Sequence, residues 1–264
     1  MDAQIFLDNF GTIADAPGGV DRLRELILDL AVRGQLVPQD LADGDAKHLL
    51  DQAATAKKQL IENGEVLKSR PLPNDDSGVG DAAFTIPPNW KWVRLDDVAV
   101  YIQRGKGPTY VENSGVPVVS QKCIQNSGFD LARARFVDEA TLASYGSERF
   151  LRKGDLLWNS TGTGTVGRIN VFPGSDDYDQ VVADSHVTVV RTVVCSPRYL
   201  HCWLSSPEVQ STIEDRTTGT TKQHELNTST VRLQPVPLPP RAEQERIVAK
   251  VDELMQLCDD LETR

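Results

Sequence analysis

The sequence predicts a mixed α/β (α+β) domain flanked by N-terminal helices and a C-terminal coiled-coil helix. Three observations carry this expectation. Two amphipathic helical repeats precede a Pro/Gly/Asp/Ser-rich stretch, short β-prone runs fill the middle, and a heptad stripe follows a cluster of prolines. The divisions that follow are 1–83 for helices and linker, 84–235 for the mixed domain, and 236–264 for the closing helix.

In the first region Gly18-Gly19 precede a segment in which Val20, Leu23, Ile27 and Leu30 recur at three and four residues, with Gly34 placed as a stop. A second helix is expected after Asp45, because Leu49, Ala53, Ala56 and Leu60 repeat the pattern, and Asn63-Gly64 end it. The stretch KSRPLPNDDSGVGDAA carries no periodicity and reads as a linker.

From Phe84 the runs WKWVRL, VPVVS, ARFV, DLLWNS, GRINVF and HVTVVRTVV alternate with turn clusters, and helix-like stretches stand near 138–145 and 198–214. Pro235, Pro237, Pro239 and Pro240 then exclude both helix continuation and central-strand pairing. After them Ile247, Val251, Leu254, Cys258 and Leu261 step by four and three, which is a/d spacing. A helix from 241 to the last residue spans about 36 Å, so its stripe needs a partner helix. The N-terminal helices, a second copy of the chain or another subunit each fit that requirement.

The net charge of −10 argues at first against a polyanion partner. By segment, however, residues 84–235 hold 16 basic and 16 acidic side chains, so the acidity lies at the two ends. Any polyanion-binding surface would therefore have to sit in the electroneutral middle. The chain has no apolar run of membrane-spanning length and no signal-peptide pattern, and a cytoplasmic location is expected. Cys123, Cys195, Cys202 and Cys258 form no C-x-x-C, and the four histidines show no metal-ligand spacing. They are read as reduced, structural thiols, with no metal site.

The stretches LRELILDLAVRGQLVPQD, IPPNWKWVRLDDVA, LRKGDLLWNSTGTGTVGRINVF and VPLPPRAEQERIVAKVDELMQLCDDLE resemble the specificity subunit of type I restriction-modification enzymes. They keep that family's order over nearly the whole chain, and Leu238-Pro239-Pro240 followed by Glu243-Gln244 is the most specific part. The resemblance implies a subunit without catalytic activity, whose target-recognition domain reads one half of a bipartite sequence in double-stranded DNA. It implies helices that act as a ruler and dock methylation subunits, which transfer a methyl group from S-adenosylmethionine to adenine N6. Restriction subunits join the complex and use ATP with magnesium. One recognition domain at 84–235 makes the chain look like half a subunit, either a natural half that forms a homodimer or a truncated form.

Given the resemblance, DNA-contacting residues are expected among multi-donor side chains in loops of the middle domain. The first cluster is Gln103, Arg104, Lys106 and Tyr110, in a loop shaped by Gly105, Gly107 and Pro108. Arg104 suits guanine O6 and N7, and Tyr110 suits stacking or a phosphate. Gln121 and Lys122 follow an apolar run, and Gln121 suits adenine N6 and N7. In 159–168, Asn159, Thr161 and Thr163 are backbone-contact candidates, although a tight turn shaped by the fold is the commonest reading of its glycines. The last cluster is Thr220, Thr221, Lys222, Gln223 and His224. His186, which alternates with apolar positions, is read as structural.

Two other readings remain open. The glycine-rich run could belong to a nucleotide-binding enzyme, but it leads into a strand and lacks Gly-Lys-Ser/Thr. An adenine methyltransferase needs a Phe-x-Gly-x-Gly loop and an Asn/Asp-Pro-Pro-aromatic motif. Ile86-Pro87-Pro88-Asn89 and Leu238-Pro239-Pro240-Arg241 lack the polar leading residue and the trailing aromatic. The electroneutral middle also suits a structural adaptor without DNA readout.

Overall fold

The computed structural model describes residues 3–69, 71–72, 84–213, 215, 217 and 225–263. The N-terminal region folds as α1 (Ala3–Asp8), α2 (Phe10–Ala14), α3 (Gly19–Val32) and α4 (Ala46–Glu62). Asp45 caps α4 by accepting from the Lys47 amide at 2.7 Å, which satisfies one of the donors a helix start leaves free. Gly34 follows α3 with φ +68°, and a Cβ there would stand 2.5 Å from Pro87 Cγ. Glycine is required at this position on both counts. Most of the predicted linker, 73–83, lies outside the described residues.

The middle region follows the predicted β-prone runs. It comprises β1 (Lys91–Arg94), α5 (Leu95–Val98), β2 (Ala99–Arg104), β3 (Tyr110–Val111), β4 (Pro117–Val119), β5 (Ile124–Gln125), β6 (Gly128–Phe129) and β7 (Arg135–Val137). It continues through α6 (Glu139–Leu142), β8 (Leu156–Asn159), β9 (Ile169–Val171), β10 (Val182–Ala183), β11 (Val187–Thr192), α7 (Pro197–Leu204), α8 (Pro207–Gln210), α9 (Thr228–Arg232) and β12 (Pro235–Leu238). Among the described residues these strands make one sheet in the order β2-β11-β8-β9 and another in the order β10-β4-β7-β3, with ribbons β1-β12 and β5-β6. Among the described strand pairs only β10-β4 is parallel.

The helix expected over 198–214 divides into α7 and α8, because Pro207 has no N–H to continue the ladder. The stretch near 138–145 keeps one helical turn, α6, capped by Asp138. The prolines of β12 are consistent with its single partner: Pro235 faces Arg94 and Pro237 faces Trp92 in a two-stranded ribbon. Their carbonyls accept from α7, the Pro235 oxygen from Trp203 Nε1 at 2.7 Å and the Pro237 oxygen from the Tyr199 hydroxyl.

The last helix, α10 (Arg241–Glu262), finds its partner within the chain. Arg24, early in α3, pairs with Asp259 and Glu262 late in α10, each at 2.6 Å, while Gln39, just beyond α3, meets Glu243 at the start of α10. The two helices therefore run in opposite senses. Ile247, Val251, Leu254 and Cys258 are buried in the same core as Leu23, Ile27 and Leu30, and Leu261 packs half-buried at its edge. Of the three partners open to the heptad stripe, the N-terminal helices are the one that fills it. This core also takes in Trp90, Val93, Trp158, Tyr199 and Trp203, so the terminal helices and one sheet of the middle region share it. A second core, with Tyr101, Ile124, Leu157 and Phe172, and a third, with Val118, Val137 and Val182, lie wholly in the middle region.

No described helix is long and apolar enough to cross a membrane. Among the described residues no three His, Cys, Asp or Glu side chains are placed to hold a metal ion.

Candidate nucleic-acid interface

Three of the four polar clusters, and the chain just past the fourth, converge at one end of the β2-β11-β8-β9 sheet. The β2 strand delivers Gln103 exposed and Arg104 half-buried. Beyond it the chain runs so close to its neighbour that a Cβ on Gly105 would lie 2.1 Å from the Ala183 carbonyl oxygen. This contact sets the path of Lys106 and Tyr110, and the Lys106 amide bonds the same Ala183 oxygen at 3.1 Å.

Gln121 opens a short 3-10 turn after β4. Its Nε2 donates to the Thr161 carbonyl at 2.8 Å and to Thr161 Oγ1 at 2.7 Å. Thr161 Oγ1 also shares a 2.6 Å hydrogen bond with His186 Nδ1. The His186 amide donates to Asp184 Oδ1 at 2.8 Å, and the Tyr110 hydroxyl donates to Asp184 Oδ2 at 3.3 Å. A continuous polar network thus runs from Tyr110 to Gln121. Asp184 is buried, and desolvation raises its carboxyl group above the ordinary range against the lowering by the His186 amide, the His186 charge and Tyr110. Burial and the neighbouring Asp184 push the Tyr110 hydroxyl up to about 12, so it is a neutral donor near neutrality.

The glycine-rich run is the turn between the antiparallel strands β8 and β9. Gly162 has φ +106°, and a Cβ would meet Thr165 Oγ1 at 2.4 Å. Amides of Val166 and Gly167 turn inward to the Gly162 and Asn159 carbonyls, at 3.0 and 2.9 Å. No helix follows, so the phosphate-cradling geometry of nucleotide-binding loops is absent here.

Three expected contacts need correction. Asn159 and Thr161 are buried, at 0% and 5% exposure, so they hold the turn and the Gln121 loop instead of facing a ligand. Asn159 Nδ2 donates to the Gln121 carbonyl at 3.4 Å. Arg104 is not a free fork. Its Nη1 donates to Glu225 Oε1 at 2.5 Å and its Nη2 to the Leu226 carbonyl at 3.1 Å. Gln103, Lys122 and Thr163 are exposed, and Lys106, Tyr110 and Gln121 are half-buried. Thr220, Thr221, Lys222, Gln223 and His224 lie outside the described residues. The chain directly after them returns to the site, where Glu225 bridges to Thr161 and the Leu226 amide bonds the Ser160 carbonyl at 2.8 Å. The His186 ring is bound to Thr161, which agrees with a hydrogen-bonded structural role.

Sequence reasoning missed Asp184 and Glu225, the carboxylates that organise Tyr110, His186 and Arg104, because nothing local distinguishes them from surface acids. It also missed Arg135, whose guanidinium carbon lies 3.7 Å from the Tyr110 ring centre. The β-prone run ARFV placed Arg135 at the start of a strand but gave no sign of the ring it would meet.

Comparison with known proteins bears on this geometry. The family described as Type I restriction modification DNA specificity domain matches residues 87–264. The Type I restriction enzyme EcoEI specificity subunit of Escherichia coli is 31% identical over 92% of this chain and 40% of its own length. The EcoAI specificity subunit of the same organism is 29% identical over 92% and 41%. The chain thus spans about four-tenths of the length of these relatives. A solved HsdS subunit from Thermoanaerobacter tengcongensis has a TM-score of 0.50 at 19% identity, covering 92% of this chain and 50% of that one. A chain from a type I R-M system structure has a TM-score of 0.52 at 20% identity, with coverage of 92% and 51%. The two structures share the fold. A match that covers residues 87–264, well over half of the chain, shows that this chain belongs to the type I restriction-modification DNA specificity family.

Proposed function

We propose that this chain is a sequence-recognition subunit that reads one half of a bipartite target in duplex DNA and docks methylation and restriction subunits. The observation that carries the reading is the convergence just described. Loops distant in sequence, at 103–110, 121–122, 159–168 and 225–226, are hydrogen-bonded into one polar edge, which leaves Gln103, Lys122 and Thr163 on its exposed side. Bases are read by such donors and acceptors held in fixed register, while phosphates are held by neighbouring cations. No catalytic step is assigned to the chain. S-adenosylmethionine, and ATP with magnesium, belong in this reading to the partner subunits.

The acidic terminal regions supply the docking surface. The α3/α10 pair buries its apolar stripe, so what it offers a partner is its outward, charged face. The second half-site is assigned to a second copy of the chain, and sedimentation checks that assembly.

Gel-shift titration with and without methylation subunits tests the reading. Alone, the chain is expected to bind duplex DNA weakly, with steep salt dependence, and to gain affinity and specificity in the complex. Equal, negligible binding in both arms would leave an adaptor without DNA readout. Removing the exposed Gln103 side chain, Gln103→Ala in the complex, is expected to lose about 1–3 kcal/mol on the target duplex, with little loss on scrambled DNA.

A further inference from the structure

Several arginines of the middle region are committed to carboxylates: Arg104 to Glu225, Arg133 to Asp130, Arg191 to Asp155, Arg198 to Asp252 and Arg232 to Asp96. Arg135 and Lys106 are different. Each is seated on a tyrosine ring, and neither has a carboxylate among the described residues within ion-pair range. Arg135 lies over Tyr110 at 3.7 Å, and Lys106 Nζ lies 5.0 Å from the Tyr145 ring centre. Lys106 Nζ donates to Ser144 Oγ at 2.6 Å, which leaves two of its three N–H groups.

The two stacks belong to one locality. The Tyr145 hydroxyl donates to the Lys106 carbonyl at 3.1 Å, and the Asp138 amide to the Thr109 carbonyl, next to Tyr110, at 2.9 Å. Tyr110 lies on β3, the edge strand, and Arg135 on its neighbour β7. Two of the nearby acids, Asp184 and Asp138, are already engaged. Asp184 is buried beneath Tyr110, and Asp138 caps α6 by accepting from the Ala140 amide at 3.1 Å. Stacking holds a cation in place without neutralising it, so both charges are preorganised and available to an anion.

We propose that Lys106 and Arg135 form a phosphate-contacting rim beside the loops that read the bases. The inference rests on the recognition reading and deepens it by separating the two roles. Among the described residues the rim joins the Gln121–Thr161 network through Asp184 and His186, so it positions the duplex without reading its sequence. Removing a phosphate contact weakens every sequence equally and lowers the salt slope by about one; removing a base contact does neither.

The test uses the chain assembled with its methylation subunits. One probe is a duplex selected from a random pool by the wild-type complex, and the other is a scrambled duplex of equal length. Arg135→Gln and Lys106→Gln are each expected to weaken both duplexes roughly threefold to tenfold and to cut the slope of log K against log salt by about one. The double variant should cut it by about two, and Arg135→Lys should keep it. An unchanged slope in both single variants, or a loss confined to the selected duplex, overturns the rim while leaving DNA recognition standing. Failure of the wild-type complex to bind either duplex removes both.

Discussion

Trp90 donates its indole Nε1–H to Oε2 of Glu243 at 2.8 Å, across 153 residues of sequence. The same carboxylate accepts from Gln39 Nε2 at 2.5 Å, and Glu243 is fully buried. Its neighbour Gln244 accepts from the Ser196 amide at 2.8 Å and donates to the Pro239 carbonyl at 2.9 Å. Arg246 pairs with Asp43 at 2.6 Å. The first two turns of α10 thus tie together the chain after α3, the entry to β1 and the start of α7. The Glu243-Gln244 motif acts as a structural pin that sets how the long helix leaves the mixed α/β region.

That pin has a pH signature. Burial raises the Glu243 carboxyl above the ordinary glutamate range, against the lowering by Trp90 and Gln39. The folded state therefore holds a proton that the unfolded state releases, and this group's contribution is lost as pH rises from the ordinary range through the raised value. Glu243→Gln leaves one of the two donors without an oxygen, at a cost of about 1–3 kcal/mol. Urea midpoints at about pH 5 and about pH 8 should show the gap between wild type and variant narrowing with rising pH. A gap that widens would reverse the assignment.

Leu254 is 1% exposed in the shared core, whereas Leu257, one turn on, is 44% exposed. Leu254→Asp places an unpaired charge in that core and is expected to cost upwards of about 4 kcal/mol. Leu257→Asp should stay within about 0.5 kcal/mol. Thermal melts separate the two, and equal melting temperatures would mean that α10 does not pack on α3 in solution.

Arg191 grips Asp155 with two bonds, Nε to Oδ1 at 2.8 Å and Nη2 to Oδ2 at 2.7 Å, and also donates to the Phe150 carbonyl at 3.0 Å. Both side chains are buried. Asp155→Ala strands the guanidinium and should destabilise the fold by about 3–5 kcal/mol in denaturant titration. A loss below about 1 kcal/mol would place the pair in a solvated environment.

All four thiols are free and buried. Burial pushes Cys195 and Cys202 up to about 12 and raises Cys123 and Cys258 as well. Thiolate is the reactive form, so a disulfide reagent at about pH 8 should find all four silent in the native chain and reactive after unfolding. A thiol that reacts promptly in the native chain would locate an opening in the core.

What the sequence by itself determined was whatever depends on neighbours in the chain. The 3-4-3 stripe of α3, the Asp45 cap and Gly64 stop of α4, the heptads of α10 and the β-prone runs are local signals, and the structure places elements at each. The residues of the Leu-Pro-Pro and Glu-Gln motif were visible too, but not their role, since Gln39, Trp90 and Ser196 are remote in the chain. Only the tertiary structure decided which helix fills the α10 stripe and which polar side chains face outward. Asn159 and Thr161 read like surface residues but turn inward. Arg104 reads as a free fork, yet Glu225 holds it. Arg135 carried no motif, and its significance comes from the Tyr110 ring that β3–β7 pairing puts beneath it. Helix and strand formation follows from periodicity along the chain, whereas the fate of a charge depends on what the fold brings within about 4 Å of it, and no local pattern encodes that distance.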